Sequence, residues 1–189
     1  MGRERKPETM KKKILVISTS PRKGGNSETL AGEFARGASE SGAEVEEITL
    51  RNKSIAFCRG CLACQKTKRC AIRDDAEEIV RKIGGADAVA FATPVYFYGM
   101  SGQMKTLLDR TNPLFDSDYA FRDVYLLAAA ADGQESAIDG TVEGLRGWLS
   151  CFEKAELKGV VRGTGATDVG DISKLRGAME SALEMGRGA

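Results

Sequence analysis

Strand-like apolar runs alternate with helical patterns along almost the whole of this 189-residue chain. The apolar runs are 13–17, 45–50, 87–93, 123–130 and 158–161, and the helical patterns are 27–41, a segment from 75, 101–111, 137–154 and 171–186. Apolar residues in the helical segments recur every three or four positions, which is typical of helices that bury one face. Five strand–helix units without a tandem repeat predict a parallel sheet with helices on both faces.

The number of strands favours one strand order. A doubly wound sheet of five strands is expected to have the order 2-1-3-4-5, in the flavodoxin-like three-layer α/β/α architecture. Such sheets bind ligands outside the carboxyl ends of the strands, where the strand order reverses, here between the first and third strands. We expect a disordered basic tail over 1–12 and a single domain over 13–189.

Composition narrows the chemistry. The chain contains no histidine, which excludes Ser-His-Asp and Cys-His catalysis and zinc sites with histidine ligands. An enzyme of this composition needs a cofactor, carboxylates or thiols. The net charge of +1 gives no reason to expect nucleic acid or a membrane as a partner. No apolar run resembles a signal peptide or a membrane span, so we expect a cytoplasmic protein.

The first strand leads into a loop suited to bind an anion, Ser20-Pro21-Arg22-Lys23-Gly24-Gly25-Asn26-Ser27. Free N–H groups and the positive end of a helix dipole meet there, and Arg22 and Lys23 add positive charge. The loop matches neither a Walker A motif nor the G-x-G-x-x-G fingerprint. A phosphate monoester is the predicted ligand, and the alternative interpretation is a capped turn with a basic flank.

A second loop follows the third strand and reads Thr93-Pro94-Val95-Tyr96-Phe97-Tyr98-Gly99-Met100-Ser101. Three consecutive aromatic side chains diverge, so they cannot all be buried, and some are expected to face the crevice. Gly99 is expected to permit unusual backbone angles. A planar ligand with a phosphate tail, such as FMN, would contact both loops, whereas the alternative is a hydrophobic plug that closes the sheet.

Together these motifs resemble those of the NAD(P)H-dependent FMN reductases, a flavodoxin-like group. They are Ser-Pro-Arg-Lys-Gly followed by Asn-Ser, Pro-Val-Tyr-Phe, and Gln103-Met104-Lys105 through Asp109-Arg110. The resemblance implies that four residues hold the FMN phosphate: Ser20, Arg22, Asn26 and Ser27. It implies that the loop from Pro94 to Gly99 contacts the ribityl chain and the isoalloxazine. Thr19 departs from the glycine that is common in relatives, and Asp109 and Arg110 are interpreted as a surface ion pair.

The resemblance also implies an activity. NAD(P)H would deliver hydride to FMN, and the electrons would pass to a small-molecule or protein acceptor. The alternative is a non-enzymatic electron carrier, which would receive electrons from a ferredoxin-like donor through a cluster. We expect a homodimer or a dimer of dimers that covers the flavin, with Trp148 as a candidate contact.

Four of the five cysteines are clustered as Cys58-x2-Cys61-x2-Cys64-x5-Cys70. The same spacing, followed by Asp74-Asp75, occurs in iron–sulfur flavoproteins, which the chain resembles, and there implies a [4Fe–4S] cluster. Zinc and free thiols stay open as alternatives, and either could serve a redox sensor. In a parallel sheet this segment emerges on the same side as the two predicted flavin loops. Cys151 is expected to be a buried or half-buried apolar residue.

Overall fold

The computed structural model describes residues 11–189, so the predicted tail over 1–12 lies outside the described residues except for 11 and 12. The strands are β1 (Lys13–Ser18), β2 (Glu44–Thr49), β3 (Ala88–Tyr96), β4 (Gly99–Met100), β5 (Asp123–Ala130) and β6 (Glu156–Thr164). The α-helices are α1 (Asn26–Glu40), α2 (Ala63–Thr67), α3 (Ala76–Gly85), α4 (Gly102–Arg110), α5 (Asp139–Leu149) and α6 (Arg176–Arg187). Short 3₁₀ helices lie at Leu50–Asn52, Asn112–Leu114, Glu135–Ile138 and Asp171–Lys174.

The sheet has the predicted order. Its five long strands are arranged β2-β1-β3-β5-β6 and all pair in parallel, which confirms the order 2-1-3-4-5. The sequence did not indicate the sixth strand, β4, which pairs antiparallel with the end of β3. Strand order reverses between β1 and β3, as predicted.

Helices cover both faces of the sheet and form two apolar cores. Ile14 and Val16 of β1 pack in the core with α1 and α6, whereas Leu15 and Ile17 pack in the core with α3, α4 and α5. The central strands are buried on both faces, which is why they read as continuous apolar runs. β2 lies at an edge of the sheet, as the predicted order 2-1-3-4-5 implies. None of the helices within 11–189 combines the length and apolar character needed to cross a membrane.

The largest difference from the predicted elements lies in the helix expected over 137–154. The structure divides this segment into the 3₁₀ helix Glu135–Ile138 and α5, which ends at Leu149. The N–H of Phe152 then donates to the carbonyl of Leu149 at 2.8 Å, and the Phe152 ring enters the core. This turn leaves Cys151 exposed, so the expectation that it is buried or half-buried is wrong.

Two further expectations change for local reasons. The run Asp75-Ala76-Glu77-Glu78 predicts a capping box at the start of α3. This prediction is wrong, because the carboxylate of Asp75 accepts the N–H of Ser54 at 2.6 Å and makes no side-chain cap for α3. Trp148 packs within the subunit against the rings of Phe121 and Phe152. Its indole N–H donates to Thr111 Oγ1 at 2.8 Å, so the ring that was predicted to contact another subunit is mostly engaged internally.

Candidate functional site

The two predicted loops lie side by side at one rim of the sheet, because β1 and β3 are neighbours. The N–H and the hydroxyl of Thr19 both donate to the carbonyl of Ala92, at 2.8 and 3.0 Å. The hydroxyls of Thr19 and Ser101 share a buried hydrogen bond of 3.0 Å. Thr19 therefore joins the two loops, and its side chain is fully buried between them.

Short polar contacts hold the loop after β1 in shape. Ser20 Oγ accepts the N–H of Arg22 at 3.2 Å and donates to the carbonyl of Arg22 at 3.0 Å. A Cβ atom at Gly25 would lie 2.4 Å from Ser20 Oγ, so this position requires glycine. Gly24 has a φ of +65°, in the left-handed region that glycine adopts readily. Both glycines of the motif therefore have a steric role.

Ser27 provides the strongest indication that this loop is suited to bind an anion. The residue is 1 % exposed, and its hydroxyl has no hydrogen-bond partner among the described residues. It stands in the first turn of α1, where a helix supplies no carbonyl for its own N–H groups and its dipole favours negative charge. An orphaned hydroxyl in this position fits a phosphate group, which accepts hydrogen bonds.

Asn26 differs from the role that the resemblance implied. Its side-chain amide donates to the carbonyls of Ala166 and Asp168 at 3.1 and 3.0 Å, and its oxygen accepts the N–H of Ile172 at 3.3 Å. These bonds occupy the side chain and leave the backbone N–H of Asn26 for an anion. Asn26 therefore attaches the segment after β6 to the phosphate loop, across 140 residues of chain.

Arg51 is a further member of the site that the sequence did not indicate. Its guanidinium pairs with the Glu28 carboxylate at 3.0 Å and donates to the carbonyl of Arg22 at 3.2 Å. The same carboxylate accepts the N–H of Gly24 at 2.6 Å. Glu28 and Arg51 thus brace the loop, while Arg22 and Lys23 themselves are exposed. Arg51 follows β2, which lies beside β1 in the sheet. The contact between Arg51 and the loop after β1 is therefore visible only in the structure.

The loop after β3 is a tight hairpin whose turn consists of Phe97 and Tyr98. These residues have φ values of +49° and +61°, and β3 and β4 flank them. Such turns usually contain Asn-Gly, because bulky residues are strained at positive φ. Gly99 does not have a positive φ, so the expectation that it supplies the unusual backbone angles is wrong. The strain is borne by the aromatic residues, which are exposed.

A third loop, after β5, reaches this hairpin. The Tyr98 hydroxyl donates to Asp132 Oδ2 at 3.2 Å. A Cβ at Gly140 would lie 2.3 Å from the carbonyl oxygen of Tyr98, so α5 begins in close contact with the hairpin. Pro94 and Val95 are half-buried at its base, and Tyr96 is exposed. One sequence feature could have predicted this loop, namely the short run Ala131-Asp132-Gly133 directly after β5.

The four clustered thiols line one cavity of about 310 Å³. Cys58 and Cys61 are exposed, Cys64 is buried and Cys70 is half-buried, and all four are free thiols. Within residues 11–189 no three Cys, Asp or Glu side chains converge as a single metal ion requires. A [4Fe–4S] cluster is larger than one ion and is held by four cysteine thiolates. Cysteines of that number and type line this cavity. A larger cleft of about 640 Å³ borders Cys70 from the side of α3.

Arg110 lies beneath the cysteine segment, so its interpretation as a surface ion pair with Asp109 is wrong. Its guanidinium is buried and pairs with both carboxylate oxygens of Asp74, at 2.7 and 2.9 Å. Burial raises the pKa of Asp74, but hydrogen bonds from Arg110 and from two backbone N–H groups outweigh it and leave the pKa below its usual value. Asp109 instead pairs with Lys105 on the exposed face of α4.

Helix α4 connects the two parts of the site. It begins after Ser101, which belongs to the hairpin loop, and ends at Arg110, beside the cysteine cavity. At 1.5 Å per residue, the ends of this nine-residue helix are about 12 Å apart. The thiols and the predicted flavin loops therefore lie in one region of the subunit.

A parallel sheet in this order, with an anion-binding loop after β1 and an aromatic loop after β3, defines a flavodoxin-like protein. The model of the NADPH-dependent FMN reductase family matches residues 12–167, and the chain belongs to this family. The resemblance in the sequence is thus confirmed.

The chain is similar in sequence to two iron–sulfur flavoproteins. The chain is 42% identical over 102 residues to one from Methanocaldococcus jannaschii, covering 54% of this chain and 53% of that protein. It is 33% identical over 138 residues to one from Methanosarcina thermophila, covering 72% of each. The alignment with the protein from Methanocaldococcus jannaschii thus spans only about half the length of that relative. Among solved structures, the NAD(P)H:quinone oxidoreductase from Methanothermobacter marburgensis has a TM-score of 0.72 at 20% identity, over 94% of this chain and 98% of that one. This likeness shows the fold.

Proposed function

We propose that the protein is an FMN-dependent oxidoreductase that takes electrons from NAD(P)H and passes them to a small-molecule or protein acceptor. The observation that carries the proposal is the junction of the two loops through Thr19 and Ser101, next to the orphaned buried hydroxyl of Ser27. A phosphate in one loop and a planar ring against the other match the shape of FMN. Membership of the FMN reductase family supports the same ligand.

The residues have separate roles in this proposal. The phosphate is held by Ser20, Ser27, Arg22 and Lys23 and by the backbone N–H of Asn26. The segment Pro94–Gly99 lies against the ring and the ribityl chain. When bound, FMN supplies the hydride chemistry, so a chain without histidine needs no general base of its own. Asp132 accepts a hydrogen bond from Tyr98 and so orients the hairpin against the loop after β5.

We further propose that Cys58, Cys61, Cys64 and Cys70 hold a [4Fe–4S] cluster. Three observations support it: the four thiols share one cavity, the cavity lies beside the end of α4, and the two named relatives are iron–sulfur flavoproteins. When bound, such a cluster supplies one-electron chemistry. The chain's contribution is the placement of the thiols and of the positive charges around them.

We propose that the protein assembles as a homodimer. The support is a set of exposed aromatic side chains around the site, which includes Phe57 and Phe97. Light scattering of the FMN-loaded protein at micromolar concentration is expected to give twice the subunit mass, and a monomeric mass would contradict the proposal.

Replacement of Ser27 tests the flavin site. Ser27→Ala is expected to weaken FMN binding about 10- to 100-fold, because a hydrogen bond to a charged group contributes about 1.5–3 kcal/mol. Riboflavin lacks the phosphate, so its affinity is expected to stay unchanged. Ser39→Ala, on the exposed side of the same helix, is the matched control. Flavin fluorescence measures both affinities.

An equal loss of FMN and riboflavin affinity would contradict the assignment of Ser27 to the phosphate. A wild-type protein that binds no FMN would overturn the function altogether. Anaerobic addition of NADH or NADPH to the FMN-loaded protein is expected to bleach the flavin. If neither does so, the protein is not a nicotinamide-dependent reductase.

A further inference from the structure

Asn112 makes an unusual contact in the cysteine cavity. Its side-chain amide donates to Cys64 Sγ at 2.9 Å, and both residues line the cavity that the four thiols share. Cys64 is buried, and Asn112 belongs to the short 3₁₀ helix that follows α4. An N–H group directed at a sulfur is the kind of contact that adjusts iron–sulfur clusters.

Arg110, two residues earlier, holds both ends of the cysteine segment. Its guanidinium donates to the carbonyl of Ala56 at 2.8 Å and to the carbonyl of Ile72 at 3.2 Å. Ala56 precedes Cys58 by two residues and Ile72 follows Cys70 by two, so one buried side chain closes the loop that contains all four thiols. The bidentate pair with Asp74 fixes the plane of the guanidinium.

One donor of Arg110 is left over. Its buried Nε has no hydrogen-bond partner within the described part of the chain. Arg110 and Cys70 line the same cleft of about 640 Å³, so the guanidinium and this thiol border one space. A buried, unsatisfied N–H beside a half-buried thiol suits a sulfur that carries negative charge.

We propose that Arg110 and Asn112 are positioning residues of the metal centre, which direct N–H donors at Cys70 and Cys64 and so hold these two thiols and raise the cluster's reduction potential. The inference rests on the proposed [4Fe–4S] cluster. Donors and positive charge near the sulfurs stabilise the more negative, reduced cluster relative to the oxidised one. Cys58 and Cys61 are exposed, so Arg110 and Asn112 act on the two less exposed thiols.

The test uses two variants with matched controls. Asn112→Leu removes the amide donor at similar size, and Arg110→Lys keeps the charge but loses the planar fork. Asn52→Leu removes an exposed asparagine and Lys105→Met removes an exposed cation from α4. Iron and sulfide per subunit and the midpoint potential of the cluster are measured on anaerobic, FMN-loaded protein. Divalent cobalt, a spectroscopic probe of thiolate sites, is titrated separately into cluster-free protein.

Asn112→Leu is expected to keep its iron and sulfide and to shift the midpoint potential to a more negative value. Arg110→Lys is expected to bind cobalt about 10- to 100-fold more weakly, the usual effect of losing a group that orients metal ligands. Both controls are expected to match the wild-type protein. If Arg110→Lys does not fold, as judged by circular dichroism, Asn112→Leu decides the question alone.

The outcomes separate this inference from the proposed cluster. If the wild-type protein loads iron and sulfide but both variants keep its potential and cobalt affinity, the inference is wrong and the cluster stands. If the wild-type protein loads no iron and sulfide, the cluster is wrong, and weaker cobalt binding by the variants would support positioning of the thiols alone. A wild-type protein that takes up neither metal would overturn both.

Discussion

Asp74 and Arg110 illustrate how single residues set this site. In the sequence they belong to two separate motifs, 36 residues apart, and nothing there indicates that they pair. In the structure they form a bidentate pair in which the guanidinium is fully buried and the carboxylate is nearly so. A buried pair of this kind adds little to stability compared with apolar packing, but the loss of one partner leaves the other charge uncompensated. We therefore expect strong effects from single substitutions here.

Asp74→Asn is expected to lower the free energy of unfolding by about 3 kcal/mol or more at neutral pH, because Arg110 stays buried without its counter-charge. The pKa of Asp74 is lowered in the folded protein, so its contribution is complete above its unfolded value of about 3.9. That contribution is lost as the pH falls through the lower folded pKa. The stabilities of wild type and variant should therefore converge below about pH 4.

Urea denaturation at a series of pH values measures this convergence. Asp109→Asn serves as the control, because Asp109 forms an exposed pair with Lys105 whose loss is expected to cost below about 1 kcal/mol. A difference between wild type and Asp74→Asn that is constant from neutral to acidic pH would show that the carboxylate charge is not what matters.

At the scale of elements, the hairpin of β3 and β4 contains stored strain. Two bulky residues at positive φ, Phe97 and Tyr98, occupy positions that commonly belong to Asn and Gly. Strained residues of this kind persist where the surrounding structure holds them, often at binding sites. The exposed rings and the bond from Tyr98 to Asp132 indicate that the hairpin is shaped for a ligand rather than for stability.

The double substitution Phe97→Asn and Tyr98→Gly is expected to raise the free energy of unfolding by about 1–2 kcal/mol, because it relieves strain at both positions. It is also expected to weaken FMN binding, because the aromatic surface of the loop is lost. Thermal unfolding and flavin fluorescence measure the two effects. Phe115→Asn, at an exposed aromatic residue without a positive φ, is the control and should not gain stability. If the double variant is less stable than the wild-type protein, the hairpin is not strained at these two positions.

At the scale of the whole molecule, α6 closes one face of the sheet against α1. A Cβ at Gly37 would lie 2.1 Å from the carbonyl oxygen of Leu183, and a Cβ at Gly186 would lie 2.1 Å from that of Phe34. The two helices therefore touch backbone to backbone, through glycines near the end of each. Since α1 begins at the phosphate loop, this contact fixes the helix whose N-terminus faces the anion.

Gly186→Ala is expected to lower the free energy of unfolding by about 1–3 kcal/mol or more, because the methyl group would force the two backbones apart. Gly177→Ala on the same helix meets no atom within 4 Å and is expected to leave stability unchanged or raise it by up to about 1 kcal/mol. Thermal or urea unfolding of both variants gives the comparison. If Gly186→Ala proves as stable as Gly177→Ala, the helices do not pack as closely as the structure has them.

The sequence by itself determined the strand order, the two loops at the sheet rim and the family, because each depends on local patterns. Buried parallel strands read as apolar runs, and a loop that enters a helix carries its glycines and hydroxyls in a short stretch. The helix that buries Leu30, Phe34 and Ala38 follows from their spacing alone. Features that depend on residues close together in the sequence can be predicted in this way.

Only the tertiary structure decided what the polar side chains do. The side chain of Asn26, which the resemblance assigned to the phosphate, instead bonds the segment after β6. Arg110, which was interpreted as a surface residue, is buried and bonds the cysteine segment. Cys151 is exposed because α5 ends at Leu149, two residues before it. A long polar side chain takes its partner from whatever the fold brings within about 3 Å, and sequence spacing carries no record of that distance.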